Sequence, residues 1–386
     1  MSGGNIRGCA SIVGVALAGL GEAAGRSSEE IAVEASVKAL AEAGLTTRHV
    51  DAVFGALPGN SNPLSALLIA EMLGIQPAFT DNSRTGGSAF LSHTLMAAMA
   101  LREGLCETAL IFYGSNQRTA SGKLVSSVQP FAYEAPYAPI FPATSYALAA
   151  SRHMHQYGTT REQLAAVAVA ARAWANLNPE AFTRGPLTVA DVLGSRMVSS
   201  PLTVRDCCLV TDGGAAIVMT RADRARHLPK KPVHLLGAAA ATTHMNIMAM
   251  PDLTCTAAQD SGRRAMAMAG VSVRDIDVVE LYDAFTINTI LFLEDLGFCA
   301  KGEGGPFVAG GAIAPGGALP VNTNGGGLSC VHPGMYGMFT LVEAVRQLRG
   351  EAGERQVAGA ELALCHGNGG VLSSQITNVL GTDATL

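Results

Sequence analysis

The chain has 386 residues, enough for two domains or one large domain with a sizeable core. Its net charge is −5 and it has no basic run, which argues against a nucleic-acid partner, and no apolar stretch reaches membrane-spanning length. Hydrophobic residues make up 48% of the sequence and charged residues only 15%, which favours a well-buried globular enzyme with a large oligomer interface.

The eight cysteines have no metal-ligand spacing, so no metal site is expected. The N-terminal segment lacks the pattern of a cleaved signal peptide. Reduced thiols and a cytoplasmic protein are therefore expected.

The first elements follow from local patterns. Residues 9–18 are apolar throughout and predict a buried strand. Ser27, with Glu30 three residues later, forms a capping-box pattern that predicts a helix running to Ala43. Gly44 would end that helix in a left-handed conformation.

A phrase of helix, glycine, turn and strand occurs twice in the chain, which indicates a duplicated α/β unit. The matching positions, at one constant spacing, are Gly44, Arg48, Asp51 and Val53 against Gly270, Arg274, Asp277 and Val279. Each copy also predicts a glycine-rich helix start followed by a strand, first from Gly87 to TALIFYG and later from Pro333 to ELALCHG.

The region between the copies, about residues 117–205, reads as a helical insertion that caps the site or binds substrate. The charged stretch 222–231 predicts a surface linker. We therefore divide the chain into an N-terminal domain, residues 1–225 with the insertion, and a C-terminal domain, residues 226–386.

The stretch PVNTNGGGLSCVHPGMYGM, residues 320–338, holds the densest set of candidate site residues. Its three consecutive glycines allow a close backbone approach or unusual torsions. Pro333 is suited to the first position of a helix, which would place His332 at the helix N-terminus and Tyr336 on the same face. Such a pair can hold an oxyanion; the alternative is a glycine-rich loop with a core histidine.

The phrases ELYDAF, VHPG and CHGNGG resemble motifs of the thiolase superfamily, and the resemblance covers essentially the full chain. The phrases VADVLGSRMVSSPLTVRDCCLVTDGGAA and QLRGEAGERQV resemble the branch of sterol-carrier-protein-type thiolases and lipid-transfer proteins. The resemblance implies a duplicated, five-layered αβαβα sandwich, usually a homodimer, that acts on coenzyme A thioesters. Coenzyme A is then part of the substrate, and no other cofactor is implied.

The resemblance also implies a nucleophilic cysteine at the start of the first buried helix, where this chain has Gly87 or Ser88. Cys106 lies past that helix and reads as a small buried hydrophobic residue. Ser88 could be a nucleophile only with a base beside it, and a helix-capping serine is the alternative.

Three further motifs can be carried over by position. Tyr282, followed by Asp283, stands where the family has Asn or His, so a phenol replaces an oxyanion-holding group. His332 matches the histidine that binds the thioester oxygen. Cys365 matches the acid/base thiol, and its place before glycines predicts an exposed thiol at a strand end.

Without the nucleophile, the site still fits retro-aldol cleavage of a bulky or branched 3-hydroxyacyl-CoA. Tyr282 and Tyr336 would deprotonate the β-hydroxyl or protonate the departing fragment, with His332 and Asp283 tuning their pKa toward neutrality. This resembles the steroid side-chain aldolases, which work with a small OB-fold/zinc-ribbon partner. The alternatives are thiolase-type acyl transfer, with Cys365 or Ser88 as nucleophile, and a non-catalytic acyl-CoA-binding subunit.

Overall fold

The computed structural model describes residues 5–58, 62–121 and 132–386. Its strands are β1 (Ala10–Gly21), β2 (Ala52–Ala56), β3 (Phe79–Asp81), β4 (Thr108–Ser115), β5 (Met197–Ser199), β6 (Leu202–Thr203), β7 (Asp212–Arg221), β8 (Val233–Thr242), β9 (Val278–Leu281), β10 (Leu362–Gly369) and β11 (Ser374–Gly381). Its helices are α1 (Ser28–Glu42), α2 (Ser65–Leu73), α3 (Ala89–Arg102), α4 (Gln117–Ser121), α5 (Ala143–Tyr157), α6 (Arg161–Asn176), α7 (Val189–Leu193), α8 (Ala222–Ala225), α9 (Ala258–Ala269), α10 (Thr286–Asp295), α11 (Gly304–Ala309) and α12 (Gly337–Arg349).

The large sheet shows the duplication in its strand order. Within the described residues the strand order is β3-β2-β4-β7-β1-β8-β11-β10-β9. The strands on the two sides of the β1–β8 junction follow the same pattern of pairing directions. From the edge of the sheet inward, each half has one parallel pair, β2–β4 or β9–β10, and then two antiparallel pairs. The bridge between Val279 and Val321 takes the place of the β2–β3 pairing. The predicted mixed α/β thiolase-like fold is confirmed.

The matched residues of the predicted repeat have the same backbone conformations and contacts in both copies. Gly44 and Gly270 end α1 and α9 at φ +68° and +71°, in the left-handed region that favours glycine. The Asp51 carboxylate accepts hydrogen bonds from the backbone N–H groups of Glu107 and Thr108. The Asp277 carboxylate accepts hydrogen bonds from the backbone N–H groups of residues 361 and 362. These matched contacts confirm the repeat.

Glycine also sets the helix-to-strand distance in both copies. A Cβ on Gly14 of β1 would lie 2.1 Å from the carbonyl oxygen of Ala39 in α1. A Cβ on Gly237 of β8 would lie 2.1 Å from that of Ala265 in α9. Each helix can therefore pack directly on its strand.

The start of α1 also matches its prediction. The Ser27 hydroxyl accepts the N–H of Glu30, and the Glu30 carboxylate accepts the N–H of Ser27, so the capping box is formed. Strand β1 begins at Ala10, as predicted, and continues beyond the expected end to Gly21.

Helices α3 and α12 meet at their N-terminal ends beside the sheet. A Cβ on Gly337 would lie 1.9 Å from the carbonyl oxygen of Gly87, so position 337 requires glycine at this approach. The prediction that Pro333 begins the second helix is wrong, because α12 begins at Gly337 with Tyr336 as its N-cap residue. The stretch 331–336 is an irregular loop that carries His332 to the site.

The predicted helical insertion is present as α5 and α6, and residues 122–131 of it lie outside the described part of the chain. The proposed domain division falls in the link between β7 and β8, and it stays a prediction. Among the described helices, none is long and apolar enough to cross a membrane.

Candidate active site

A cavity of about 710 Å³ opens where the two halves and the insertion meet. Three of the predicted site residues line it, Gly87, Tyr282 and His332. Further lining residues come from loops at the strand ends and from α5, including Tyr113, Tyr146, Cys208, His244, Phe285 and Asn368. Motifs far apart in the sequence are thus brought to one wall.

Tyr282 lies at the centre of this wall, directly after β9. Its hydroxyl donates to the Gly334 carbonyl oxygen at 3.3 Å and lies 3.2 Å from Nε2 of His332. The two rings meet edge to face, with centroids 5.6 Å apart. A phenol and an imidazole therefore share one hydrogen-bonding contact inside the cavity.

The ring of Tyr282 occupies the space that a side chain at position 87 would need. A Cβ on Gly87 would lie 1.8 Å from Cε2 of Tyr282. The two departures from the family pattern, a missing cysteine and an added tyrosine, are therefore one structural change. This contact also favours Gly87 over Ser88 as the position of the lost nucleophile.

His332 is buried, and burial lowers its pKa to about 4. The imidazole is therefore neutral near pH 7. Its Nδ1 has no hydrogen-bond partner among the described residues. In a neutral ring, Nε2 either donates or accepts a hydrogen bond, according to the tautomer.

Tyr336 is farther from the reaction centre than predicted. It is fully buried, its hydroxyl donates to Oδ1 of Asn324 at 2.9 Å, and it does not line the cavity. Its ring packs edge to face on Tyr282, with centroids 5.9 Å apart, and stacks on His332 at 6.2 Å. The geometry makes Tyr336 a support for the other two rings.

The expectation that neighbours tune the tyrosine pKa values toward neutrality is wrong. Burial, followed by the effect of Cys208, raises the pKa of Tyr282 well above its usual value. Burial, followed by the charge of Asp283, does the same to the pKa of Tyr336. Both phenols keep their protons near pH 7 and are hydrogen-bond donors or acids.

Asp283 shapes the glycine-rich loop from outside the cavity wall. Its Oδ1 accepts the N–H of Gly327 at 2.6 Å, and a Cβ on Gly326 would lie 2.0 Å from its Oδ2. The predicted close approach is confirmed: Gly326 and Gly327 approach this carboxylate, and Gly325 approaches Ala175. Burial raises the pKa of Asp283 to about 7, against the opposing effect of the Gly327 N–H.

The prediction of an exposed Cys365 at a strand end is wrong. Strand β10 continues to Gly369, Cys365 is fully buried, and its thiol donates to the Thr340 carbonyl oxygen at 3.5 Å. Burial, then the charge of Glu280, raises its pKa well above the usual value. A Cys-x-Gly motif alone does not show where a β-strand ends.

Ser88 lies behind the cavity wall and does not line the cavity. It is fully buried, and its hydroxyl bonds Oγ1 of Thr85 at 2.9 Å and Oγ of Ser374 at 3.0 Å. No described histidine lies within hydrogen-bond distance of it. Cys106, predicted as a buried hydrophobic residue, is 3% exposed, and burial raises its pKa to about 12.

The polar residues of the cavity wall that sequence reasoning missed include Tyr113, Tyr146, His244 and Asn368. Three of them lie at or just beyond the C-terminal end of a strand: Tyr113 in β4, His244 after β8 and Asn368 in β10. That position was a usable signal, because binding and catalytic residues are disproportionately found where a rigid strand gives way to a loop.

The acid limb of kcat/KM should lie near pH 4 and not near the 6.5 of a free imidazole. A reaction that uses neutral His332 loses this form only as pH falls through about 4. Initial rates between pH 4 and 9 check this. Because Asp283 has a pKa of about 7, the D283N variant separates its contribution. A limb near 6.5 that survives in D283N would contradict a neutral His332.

Comparison with known proteins gives consistent results. Residues 239–382 match a family model described as "Thiolase C-terminal domain-like". The chain is 35% identical to "17-hydroxy-3-oxo-4-pregnene-20-carboxyl-CoA lyase" of Mycobacterium tuberculosis, over 96% of this chain and 98% of that protein. It is 36% identical to "Acetyl-CoA acetyltransferase" of Methanothermobacter thermautotrophicus, over 93% of this chain and 96% of that protein.

Among solved structures, the chain is similar to one described as "Ltp2-ChsH2(DUF35) aldolase". The TM-score is 0.89 at 33% sequence identity, and the match covers 98% of this chain and 99% of that chain. The similarity therefore extends over the whole fold.

Proposed function

Because this chain belongs to the thiolase superfamily, in its sterol-carrier-protein-type branch, we propose that it cleaves a bulky or branched 3-hydroxyacyl-CoA by a retro-aldol reaction. Chains of this superfamily are enzymes of acyl-CoA chemistry. The observation that carries the proposal is the contact between Gly87 and Tyr282, since it leaves no room for a nucleophile at that position.

The chemistry needs a proton taken from the β-hydroxyl and a proton returned to the α-carbon. The bond between Cα and Cβ breaks, its electrons move onto the thioester as an enolate, and the β-carbon leaves as a carbonyl compound. In the reaction the Tyr282 O–H turns from the Gly334 carbonyl oxygen to Nε2 of His332, 3.2 Å away, while the imidazole holds its own hydrogen on Nδ1. Tyr282 accepts the hydroxyl proton as its own proton passes to that Nε2. Reversal of this shift protonates the enolate carbon, so the pair ends as it began.

The raised pKa of Tyr282 fits this concerted exchange. A free phenolate in this buried site would be costly, because burial disfavours the charged form. The neighbouring imidazole lets the phenol exchange protons without holding a full negative charge. General acid–base catalysis of this kind typically contributes about 10²–10⁴-fold in rate.

The test is product analysis with a branched 3-hydroxyacyl-CoA. The expected result is a shortened acyl-CoA and an equimolar ketone or aldehyde, with no acyl adduct on the intact protein by mass spectrometry. A stable adduct without carbonyl release would instead support acyl transfer.

Acyl transfer remains the second candidate, because the relative from Methanothermobacter thermautotrophicus is named as an acetyltransferase. Its nucleophile would be Ser88 or Cys365. Neither residue lines the cavity. The Cys365 thiol donates to the Thr340 carbonyl oxygen, and the Ser88 hydroxyl forms a hydrogen bond with Ser374.

The S88A and C365A variants should each keep cleavage within about tenfold of the unchanged protein, since neither side chain reaches the cavity. Steady-state rates on one 3-hydroxyacyl-CoA measure this. Loss of activity beyond 10²-fold in either variant, with an unchanged circular dichroism spectrum, would favour acyl transfer.

We also propose a homodimer that works with a small OB-fold/zinc-ribbon partner. Strand β3 is an edge strand of the sheet, and the neighbouring α2 exposes Leu67 and Met72, which suits this edge to pairing with a second copy of the chain. The similar aldolase structure has a DUF35 component in its name. Light scattering should give twice the chain mass; a stable monomer at micromolar concentration would contradict the dimer.

A further inference from the structure

A buried hydrogen-bond chain leads from the core to the cavity wall. Thr377 Oγ1 lies 2.9 Å from Nδ1 of His366, and Nε2 of His366 lies 2.8 Å from Oε1 of Gln375. Gln375 then donates through Nε2 to Oδ1 of Asn368 at 2.8 Å. Asn368 donates through Nδ2 to the hydroxyl of Tyr146 at 2.9 Å. All five residues are buried.

The direction of this chain is fixed at its cavity end. Tyr146 donates to the Gly370 carbonyl oxygen at 3.2 Å, and a backbone carbonyl can only accept. Tyr146 must therefore accept from Asn368, which must turn its Oδ1 toward Gln375. The reversed chain, with Tyr146 donating to Asn368, would leave the Gly370 carbonyl without this donor.

The state of His366 agrees with this direction. Burial lowers the pKa of His366 to about 4, so the ring is neutral and carries one N–H. That hydrogen is on Nε2, because Oε1 of Gln375 can only accept, and Nδ1 accepts from Thr377. The protein thus fixes the amide orientation of Asn368 through residues that do not touch the cavity.

This orientation leaves one donor unused at the cavity wall. Nδ2 of Asn368 has two hydrogens, and Tyr146 is the one acceptor for it among the described residues. Asn368 is 1% exposed and lines the same cavity as Tyr282 and His332. A buried amide hydrogen without an acceptor costs free energy unless a ligand oxygen completes it.

We propose that Asn368 donates this hydrogen to the thioester oxygen of the substrate as the enolate forms. The inference rests on the proposed retro-aldol function, in which electrons from the breaking carbon–carbon bond collect on that oxygen. A donor held in place before the reaction stabilises such charge without reorganisation. Gln375 and His366 are positioning residues, because they act through the amide orientation.

The N368D variant tests the donor directly, since the carboxylate keeps the size and the acceptor contact with Gln375 but cannot donate. We expect kcat to fall by about 10²–10³-fold at pH 8 with little change in KM, as for loss of one oxyanion donor. The deficit should shrink as pH falls, because the introduced carboxyl regains an O–H when protonated. A structural defect would not recover in this way.

The Q375E variant tests the orientation from outside the cavity. At pH 8 a carboxylate at this position would repel Oδ1 of Asn368 and attract its Nδ2, which turns the carbonyl toward the cavity. We expect a kcat loss in the same direction as in N368D. The matched control is N378D, which also introduces an acid at a buried amide in β11, outside the cavity wall, and should keep its rate.

Hydrogen–deuterium exchange at the α-carbon of the product acyl-CoA separates the inference from the proposed function. The exchange reports enolate formation, and it should fall with cleavage in N368D. If the unchanged protein neither cleaves nor exchanges, the proposed function fails. If it cleaves, and a folded N368D cleaves and exchanges at the same rate, the inference about Asn368 alone is overturned.

Discussion

Replacing Tyr282 with phenylalanine should lower kcat for 3-hydroxyacyl-CoA cleavage by about 10²–10⁴-fold, the usual contribution of a general acid–base group. The variant keeps the ring that packs against Gly87 and removes the hydroxyl that contacts His332 and Gly334. Folding should be nearly intact, since the lost hydrogen bond contributes only about 1 kcal/mol to the free energy of unfolding. Steady-state rates and a thermal melt measure the two effects.

Tyr336→Phe is the matched control. Its hydroxyl bonds Asn324 and does not reach the cavity wall, so we expect a loss of less than about tenfold. The sequence alone gave no reason to rank the two tyrosines, and the structure does. Equal losses in both variants would contradict the assignment, and full activity in Y282F would end the aldolase proposal.

The duplicated fold could be predicted from sequence because its signals are local. A left-handed glycine ends each helix, at Gly44 and Gly270, and the two glycines hold the same place in a phrase that recurs at one spacing. The capping box at Ser27 is likewise a three-residue pattern. Such signals do not depend on distant parts of the chain.

The chemistry of the site depends on distant contacts and was harder to predict. Tyr282 and His332 are buried by loops from both halves, and this burial decides the direction of their pKa shifts. Cys365 was expected at a strand end because glycines follow it, but pairing with β11 continues β10 through those glycines. Burial and pairing of this kind cannot be read from a short motif.

The orientation of Asn368 shows the same limit more sharply. Its amide is fixed by His366 and Gln375 on neighbouring strands and by the Gly370 carbonyl, which only the paired strands and adjoining loop bring together. The motif CHGNGG contains both His366 and Asn368, yet the sequence comparison drew attention to its cysteine.

Gly87 packs directly against the ring of Tyr282, which leaves no space for a side chain at position 87. G87A should lower the free energy of unfolding by about 1–3 kcal/mol, the usual cost of an overpacked core, because its Cβ would lie 1.8 Å from the Tyr282 ring. It should also lower kcat, since the ring must move to make room. Urea denaturation and steady-state rates measure both effects.

Combining G87A with Y282A tests whether that ring is the cause. Without the ring, the added methyl group has room, so G87A should cost almost nothing in the Y282A background, a coupling typical of residues in contact. The double variant should stay inactive, because the phenol hydroxyl is gone, which separates packing from chemistry. An equal destabilisation by G87A in both backgrounds would mean that the Tyr282 ring is not what requires the glycine.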